Sequence, residues 1–249
     1  MRIGYLIPQF PGQTHIFFWR ELAALEEMGV DVQVFSTRKP PPGLIAHAWS
    51  DAAMARTTYL GQVDAVAALR ALVALHGSGL LRLVRAEGRG FAKDVMICLS
   101  AAWQLRADCK AQGIAHVHVH SCARAAVIAL LASLMGGPRY SLTLHGPMSD
   151  YGAGQRVKWS HAAFATIITQ KLLAEAQAEL GDDLPDRVVV RGMGVDVDVL
   201  RRQTPYSPPI SGEPLRLFSC ARLNQVKGHQ DLMMAVRLLL DQGQLSIAE

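Results

Sequence analysis

The sequence predicts an α/β chain: a doubly wound parallel sheet with helices on both faces, then the first strand and helix of a second domain of the same kind. Three observations carry this expectation. Short apolar runs alternate with helix-period segments over about 200 residues. The stretch from Arg2 to Ser36 already holds strand, helix and strand, a βαβ unit that requires parallel pairing and a right-handed crossover. A Pro-rich segment, Gln203 to Pro214, then interrupts the alternation before it resumes.

Taken in order, Arg2 to Ile7 reads as a buried strand closed by Pro8 and Pro11. Phe17 to Met28 carries apolar residues at Phe18, Leu22 and Leu25 and stops at Gly29, a good helix terminator. Val30 to Ser36 alternates as a second strand. Lys39-Pro40-Pro41-Pro42-Gly43 is a stiff turn or short polyproline stretch. Leu69, Leu72, Val73, Leu80, Leu83 and Val84 recur at helical spacing, broken near Gly77-Ser78-Gly79, and Trp103 falls on a further helix. Ala115 to His120 is a strand, Ala123 to Met135 a helix and Arg139 to Leu144 a strand. Ser160 to Ala165 reads as the tail of a helix, Thr166 to Thr169 as a short strand, Lys171 to Leu180 as a helix and Val188 to Val190 as one more strand.

This is a Rossmann-like pattern. It divides the chain into a domain at 1–202, a linker at 203–214 containing Pro205, Pro208, Pro209 and Pro214, and the start of a second domain at 215–249. Leu215 to Ala221 reads as a fresh strand and His229 to Leu240 as its helix. One strand and one helix cannot bury their own apolar faces, so either the sequence is a fragment of a longer protein, the favoured expectation, or the unit packs on the first domain or a partner.

Composition sets further bounds. Half of the 249 residues are apolar and 18% are charged, which supports a sizeable core and excludes global disorder. No run of about 18 uncharged apolar residues is present, so no spanning helix is expected. The apolar stretch before Pro8 is too short for a secretory leader, and a cytoplasmic protein is expected. Cys98, Cys109, Cys122 and Cys220 show no CxxC spacing and read as reduced, mostly buried thiols.

The net charge of +4 is concentrated between Val66 and Lys110, where seven basic residues (Arg70, Arg82, Arg85, Arg89, Lys93, Arg106, Lys110) face three acids (Glu87, Asp94, Asp108). Two readings stand: a solvated face of ordinary packed helices, or a basic amphipathic surface for an anionic membrane. Nucleic acid is not expected, because aromatics make up only 6% of the chain and do not interleave with the basic residues.

No GxGxxG and no Walker loop occurs, and Gly88-Arg89-Gly90 is an isolated GxG among helical residues; a dinucleotide-dependent dehydrogenase is therefore disfavoured. The candidates lie elsewhere. The loop Pro8 to His15 follows the first strand at the ligand-facing end of such a sheet, where Gly12 admits close backbone approach and the amides opening the Phe17 helix could receive an anion or a sugar hydroxyl, or the loop is simply a tight turn with a Thr14 cap. His116, His118 and His120 share one strand face. Their side chains run in a line about 6.5–7 Å apart, which suits tetrahedral ligation poorly, so no metal is expected and His120, at the strand's carboxyl end, is the site candidate. His145-Gly146 follows the strand ending at Leu144 and can hydrogen-bond a sugar hydroxyl, or be satisfied by a turn carbonyl. Arg222 and Lys227, with Gly228-His229 opening a helix, form a credible diphosphate clamp, or else a solvated turn.

Together these loops resemble family 4 glycosyltransferases, retaining enzymes of the two-Rossmann GT-B class. Tyr5 to Thr14 with Arg20-Glu21-Leu22 is similar to the opening of bacterial exopolysaccharide and colanic-acid-type transferases. Leu144 to Pro147 is similar to the family's threonine-histidine-glycine loop, Gly194-Val195-Asp196 to its glycine-valine-aspartate turn, and Ala221 to Gly228 to its donor-phosphate motif. The resemblance implies a nucleotide-sugar donor as co-substrate and a polysaccharide or lipid-linked sugar acceptor. It implies no metal and no further cofactor. Arg222 and Lys227 would hold the donor diphosphate, Gly12 would lie below the donor, and His145 would contact the transferred sugar. Gln13, Thr14, His120 and Asp150 would face the acceptor. Pro147 and Met148 replace the family's usual acidic residue after the glycine, with Asp150 nearby, and the paired-glutamate motif of the second domain does not occur in these 249 residues. Against the transferase stands a catalytically inactive acceptor- or partner-binding module derived from such an enzyme.

Overall fold

The computed structural model describes residues 1–43, 47–208, 210 and 216–244. Seven strands are present among the described residues: β1 (Arg2–Gln9), β2 (Asp31–Arg38), β3 (Thr57–Tyr59), β4 (His116–Val119), β5 (Arg139–Leu144), β6 (Ala165–Ile167) and β7 (Val188–Val190). They form one sheet in the order β3-β2-β1-β4-β5-β6-β7, parallel at every pairing. The order reverses between β1 and β4, and that is where an open α/β sheet leaves a crevice outside its strand ends. The helices are α1 (Ile16–Glu27), α2 (Ser50–Ala55), α3 (Ala65–Ala74), α4 (Leu80–Glu87), α5 (Arg89–Ala111), α6 (Arg124–Leu134), α7 (Gln155–Ser160), α8 (Gln170–Leu180) and α9 (His229–Asp241).

Strand alternation sorts the side chains into two cores. Tyr5, Ile7, Val32 and Val34 meet Phe18 and Leu22 of α1 and Ala53 of α2 on one face. Leu6, Phe35, Val117, Val119, Leu142, Leu144 and Ile167 point the other way, into a larger cluster with α3, α5, α6 and α8. The sheet is thus wound on both sides, as its sequence pattern requires. The second face carries most of the burial, and α6 is apolar nearly all round because it lies between the sheet and α5.

Several boundaries differ from expectation for identifiable reasons. β1 continues through Pro8 to Gln9, because its pairing with β4 ends at Leu6 and the missing amide of Pro8 breaks no ladder bond there. The segment 160–165 is not a helix tail: α7 ends at Ser160 and Ala165 already belongs to β6. α2 and β3 were not anticipated, since six and three residues are too few to show a period. Of the strand expected at Leu215–Ala221, Leu215 lies outside the described residues and 216–221 form no strand; no described strand offers them a ladder, and a lone strand has no partner for its amides.

By compactness the chain divides at Met1–Asp196 and Val197–Glu249. Every buried apolar residue among those described lies between Tyr5 and Leu180. In the second unit, α9 follows a tight turn at Gln225–Lys227, and it buries no residue.

Candidate functional site

α1 is amphipathic in a particular way. Phe18 and Leu22 enter the core, while Phe17, Arg20, Glu21, Ala24 and Glu27, spaced three and four apart, line a cavity of about 560 Å³. Its floor is the polar face of β4 and β5, with His118, His120, Thr143 and His145, and its far rim is Arg191 to Asp196. The HVHV alternation of β4 explains the floor: Val117 and Val119 fill the large core, so the histidines must point to the opposite side.

The floor is tied together by hydrogen bonds. The Ser141 hydroxyl bridges His116 Nε2 at 2.8 Å and His118 Nδ1 at 2.7 Å, and His118 Nε2 meets Thr143 Oγ1 at 2.8 Å. One strand end further on, His120 Nδ1 lies 3.2 Å from His145 Nε2, so the two neighbouring strands present their terminal histidines as a pair. Tyr5 packs on His120 with ring centroids 4.1 Å apart, and Phe18 closes its edge at 4.8 Å. His120 Nε2 is buried and has no hydrogen-bond partner; the nearest charge is Glu21 Oε2 at 3.9 Å. Glu21 itself accepts from the Tyr5 hydroxyl at 2.8 Å.

Burial decides the charge state. It pulls His118 down to about 3 and His145 to about 4, and carries His120 well below its ordinary value, with the neighbouring imidazoles adding to each shift. At neutral pH the cluster is therefore uncharged, and each ring keeps one donor and one acceptor nitrogen. Burial raises Glu21, partly offset by the Tyr5 hydrogen bond.

Of the residues anticipated from sequence, the structure brings His120 and His145 together, and the Gly194-Val195-Asp196 turn lines the same cavity. Asp150 is elsewhere. It lies in a 3-10 turn at Met148–Tyr151 and lines a second cavity of about 490 Å³ with Arg38, Gln62, Arg124 and Tyr151. Gly12, Gln13 and Thr14 line neither of these two cavities. A Cβ at Gly12 would collide with the His15 ring, so the close approach this glycine admits is that of His15. His15 is also the residue that precedes α1, and Thr14 does not cap it. Around Gly146, by contrast, a Cβ would meet only ordinary contacts with Tyr151 and Asp150, so packing within the chain does not demand a glycine there.

In the second unit Arg222 and Lys227 are exposed on the turn before α9. His229 ties that turn to the helix start, its ring meeting Ser219 Oγ at 3.1 Å and the Arg222 carbonyl at 3.3 Å. Asn224 accepts from the Val226 amide, which holds the loop between the two cations. Sequence reasoning missed His118 and Arg191 as cavity residues and gave Glu21 no role of its own. The signal for Glu21 was its place on the α1 face that the core residues leave free.

No family model matches the chain, and no curated protein matches it. Among solved structures, one of UDP-GlcNAc 2-epimerase from Methanocaldococcus jannaschii aligns with 76% of this chain and 45% of its own, at 10% identity and a TM-score of 0.45. No described helix is long and apolar enough to cross a membrane.

Proposed function

We propose that the protein is a retaining, GT-B-type glycosyltransferase that moves a sugar from a nucleotide-sugar donor to a growing, lipid-linked polysaccharide at the cytoplasmic face of a membrane. The observation that carries this reading is the neutral His120–His145 pair at the adjoining ends of β4 and β5, beside the strand-order reversal and on the floor of a ligand-sized cavity. Uncharged imidazoles walled by aromatic rings suit sugar hydroxyls, which need directional donors and acceptors more than charge. The motif resemblance supports the same assignment. His145 contacts the transferred sugar, Arg222 and Lys227 neutralise the donor diphosphate and the leaving group, and the transfer step draws on no metal ion. Gly12 belongs to the loop below the donor. Gln13, Thr14, His120 and Asp150 serve the acceptor, His120 from the main cavity, Asp150 from the second and Gln13 and Thr14 from the loop after β1.

One observation favours the rival reading, a non-catalytic acceptor-binding module: the cavity and all described buried apolar residues belong to the first unit. A transfer assay separates the two. Radiolabelled nucleoside-diphosphate sugars and lipid-linked oligosaccharides should give product of retained configuration. Lys227→Ala should abolish transfer, and His145→Ala should lower kcat by about 100-fold or more, the scale of losing a transition-state hydrogen bond. Acceptor binding with no transfer from any donor would leave the binding module standing instead.

A further inference from the structure

Glu21 and His118, to which the proposed transfer gives no role, come within reach of His120 at the cavity wall. Glu21 of α1 and His118 and His120 of β4 each offer a ligand atom, and those atoms lie within 4.8 Å of one another. From the geometry we infer that Glu21, His118 and His120 form a zinc site that pins α1 to the polar face of the sheet.

The objection raised by the sequence was that histidines two apart on a strand lie in a line. The fold removes it by replacing His116 with a carboxylate from the helix above. That donor approaches off the strand axis, as a three-ligand site requires. His120 Nε2 is the telling atom, because it is fully buried, has no hydrogen-bond partner and points at Glu21. A buried nitrogen without a partner costs stability, and a bound cation would remove that cost. Tetrahedral zinc ligands sit about 3.3–3.4 Å from one another. The three ligand atoms, within 4.8 Å of one another and 3.9 Å apart between His120 and Glu21, therefore have to draw in by about 0.5 to 1.5 Å, and Glu21, with its side chain 40% exposed, has the most freedom to move.

The surroundings match the donor set. Ligating histidines are oriented by a hydrogen bond on the other ring nitrogen, and His118 has hydroxyl partners on both, so one remains when the other turns to metal. Tyr5 donates to Glu21 and orients the carboxylate in the same way. Two imidazoles and a carboxylate select zinc over magnesium or calcium, and the fourth position is left to water or a ligand oxygen on the cavity side. The inference rests on the geometry of these three side chains rather than on the proposed transfer, with which it shares His120.

The test is metal titration of the purified, chelator-stripped chain with Zn²⁺ and Co²⁺. The expected result is one ion per chain, a visible cobalt spectrum of the four-coordinate type, and a Tm that climbs with free zinc. Glu21→Gln, whose amide oxygen still accepts from Tyr5, and His120→Asn should remove the cobalt bands. Tyr5→Phe should weaken binding by about 10–100-fold, and His116→Ala should leave it within about threefold of the parent. If the native chain retains no ion, or if Glu21→Gln binds as tightly as the parent, the site does not exist. Glu21→Gln alone decides the matter should the His120 variant fail to fold.

Discussion

Lys158 shows how much one side chain in this core depends on its neighbours. It is only 1% exposed, and its ammonium donates to the Cys122 carbonyl at 2.6 Å and the Tyr151 carbonyl at 3.2 Å. Burial pulls its pKa from 10.5 down to about 8. The folded state therefore holds that proton less tightly than the unfolded chain. Below about pH 8 the full penalty is present; between there and about 10.5 the unfolded chain binds more protons, so this residue's contribution to stability rises with pH. Lys158→Met should be free of that dependence. Both carbonyls keep Gln155 as a donor, so the variant should still fold. Urea midpoints from pH 7.5 to 11 should show the parent gaining roughly 3 kcal/mol on the variant. The buried thiols Cys98, Cys109 and Cys122, each raised to about 12, lose stability over part of the same range, and since the Lys158 charge lowers Cys98 and Cys122, part of the difference above about pH 9 comes from those two thiols. Parallel curves would show that Lys158 carries no such penalty. Nothing in the sequence around Lys158 singled it out, because a lysine on a six-residue helix reads as solvated until the fold closes over it.

At the scale of elements, α3 and α4 form where the apolar spacing of the sequence places them. Asp64 caps α3 by accepting from the Val66 and Ala67 amides, and α4 ends with Arg85 in its last turn, where a cation suits the helix dipole. Leu69, Leu72, Val73 and Leu81 nonetheless remain exposed, together with Arg70, Arg82, Arg85 and Arg89. Exposed apolar groups among cations are what an anionic lipid surface takes up. Replacing Arg82, Arg85 and Arg89 by Gln should lower partitioning onto phosphatidylserine vesicles by about 100-fold at low salt, at roughly 1 kcal/mol per charge. The gap should shrink as salt rises. Equal binding at low salt would mean these helices simply face solvent. α6 was legible as a long apolar run between two strands, and α5 only through Trp103, which falls on it. β3 and α2 were not, because they are held by pairing with β2 and packing on α1, neither of which leaves a local trace.

For the molecule as a whole, the distribution of burial makes a direct prediction. No described buried apolar side chain lies beyond Leu180. Ending the chain after Asp196 should therefore leave the thermal midpoint within about 2 °C, since a shift of several degrees needs a loss near 1 kcal/mol. A drop of ten degrees would mean that the second unit contributes to the core of the first.

The parallel sheet, its two-sided winding and the positions of the loops at the strand ends all followed from the sequence, because periodicity and turn residues are local properties of a chain. His120 and His145 could each be picked out for the same reason, as the residues that end apolar strands. Their meeting at 3.2 Å was decided by the register of β4 against β5, and Asp150 was drawn to a different cavity by the turn that follows. Glu21 came to face the histidines only when α1 crossed the sheet with its other side in the core. Charge state was decided at that level too: the same imidazoles that would titrate near neutrality in an open chain are held neutral by the burial the fold imposes.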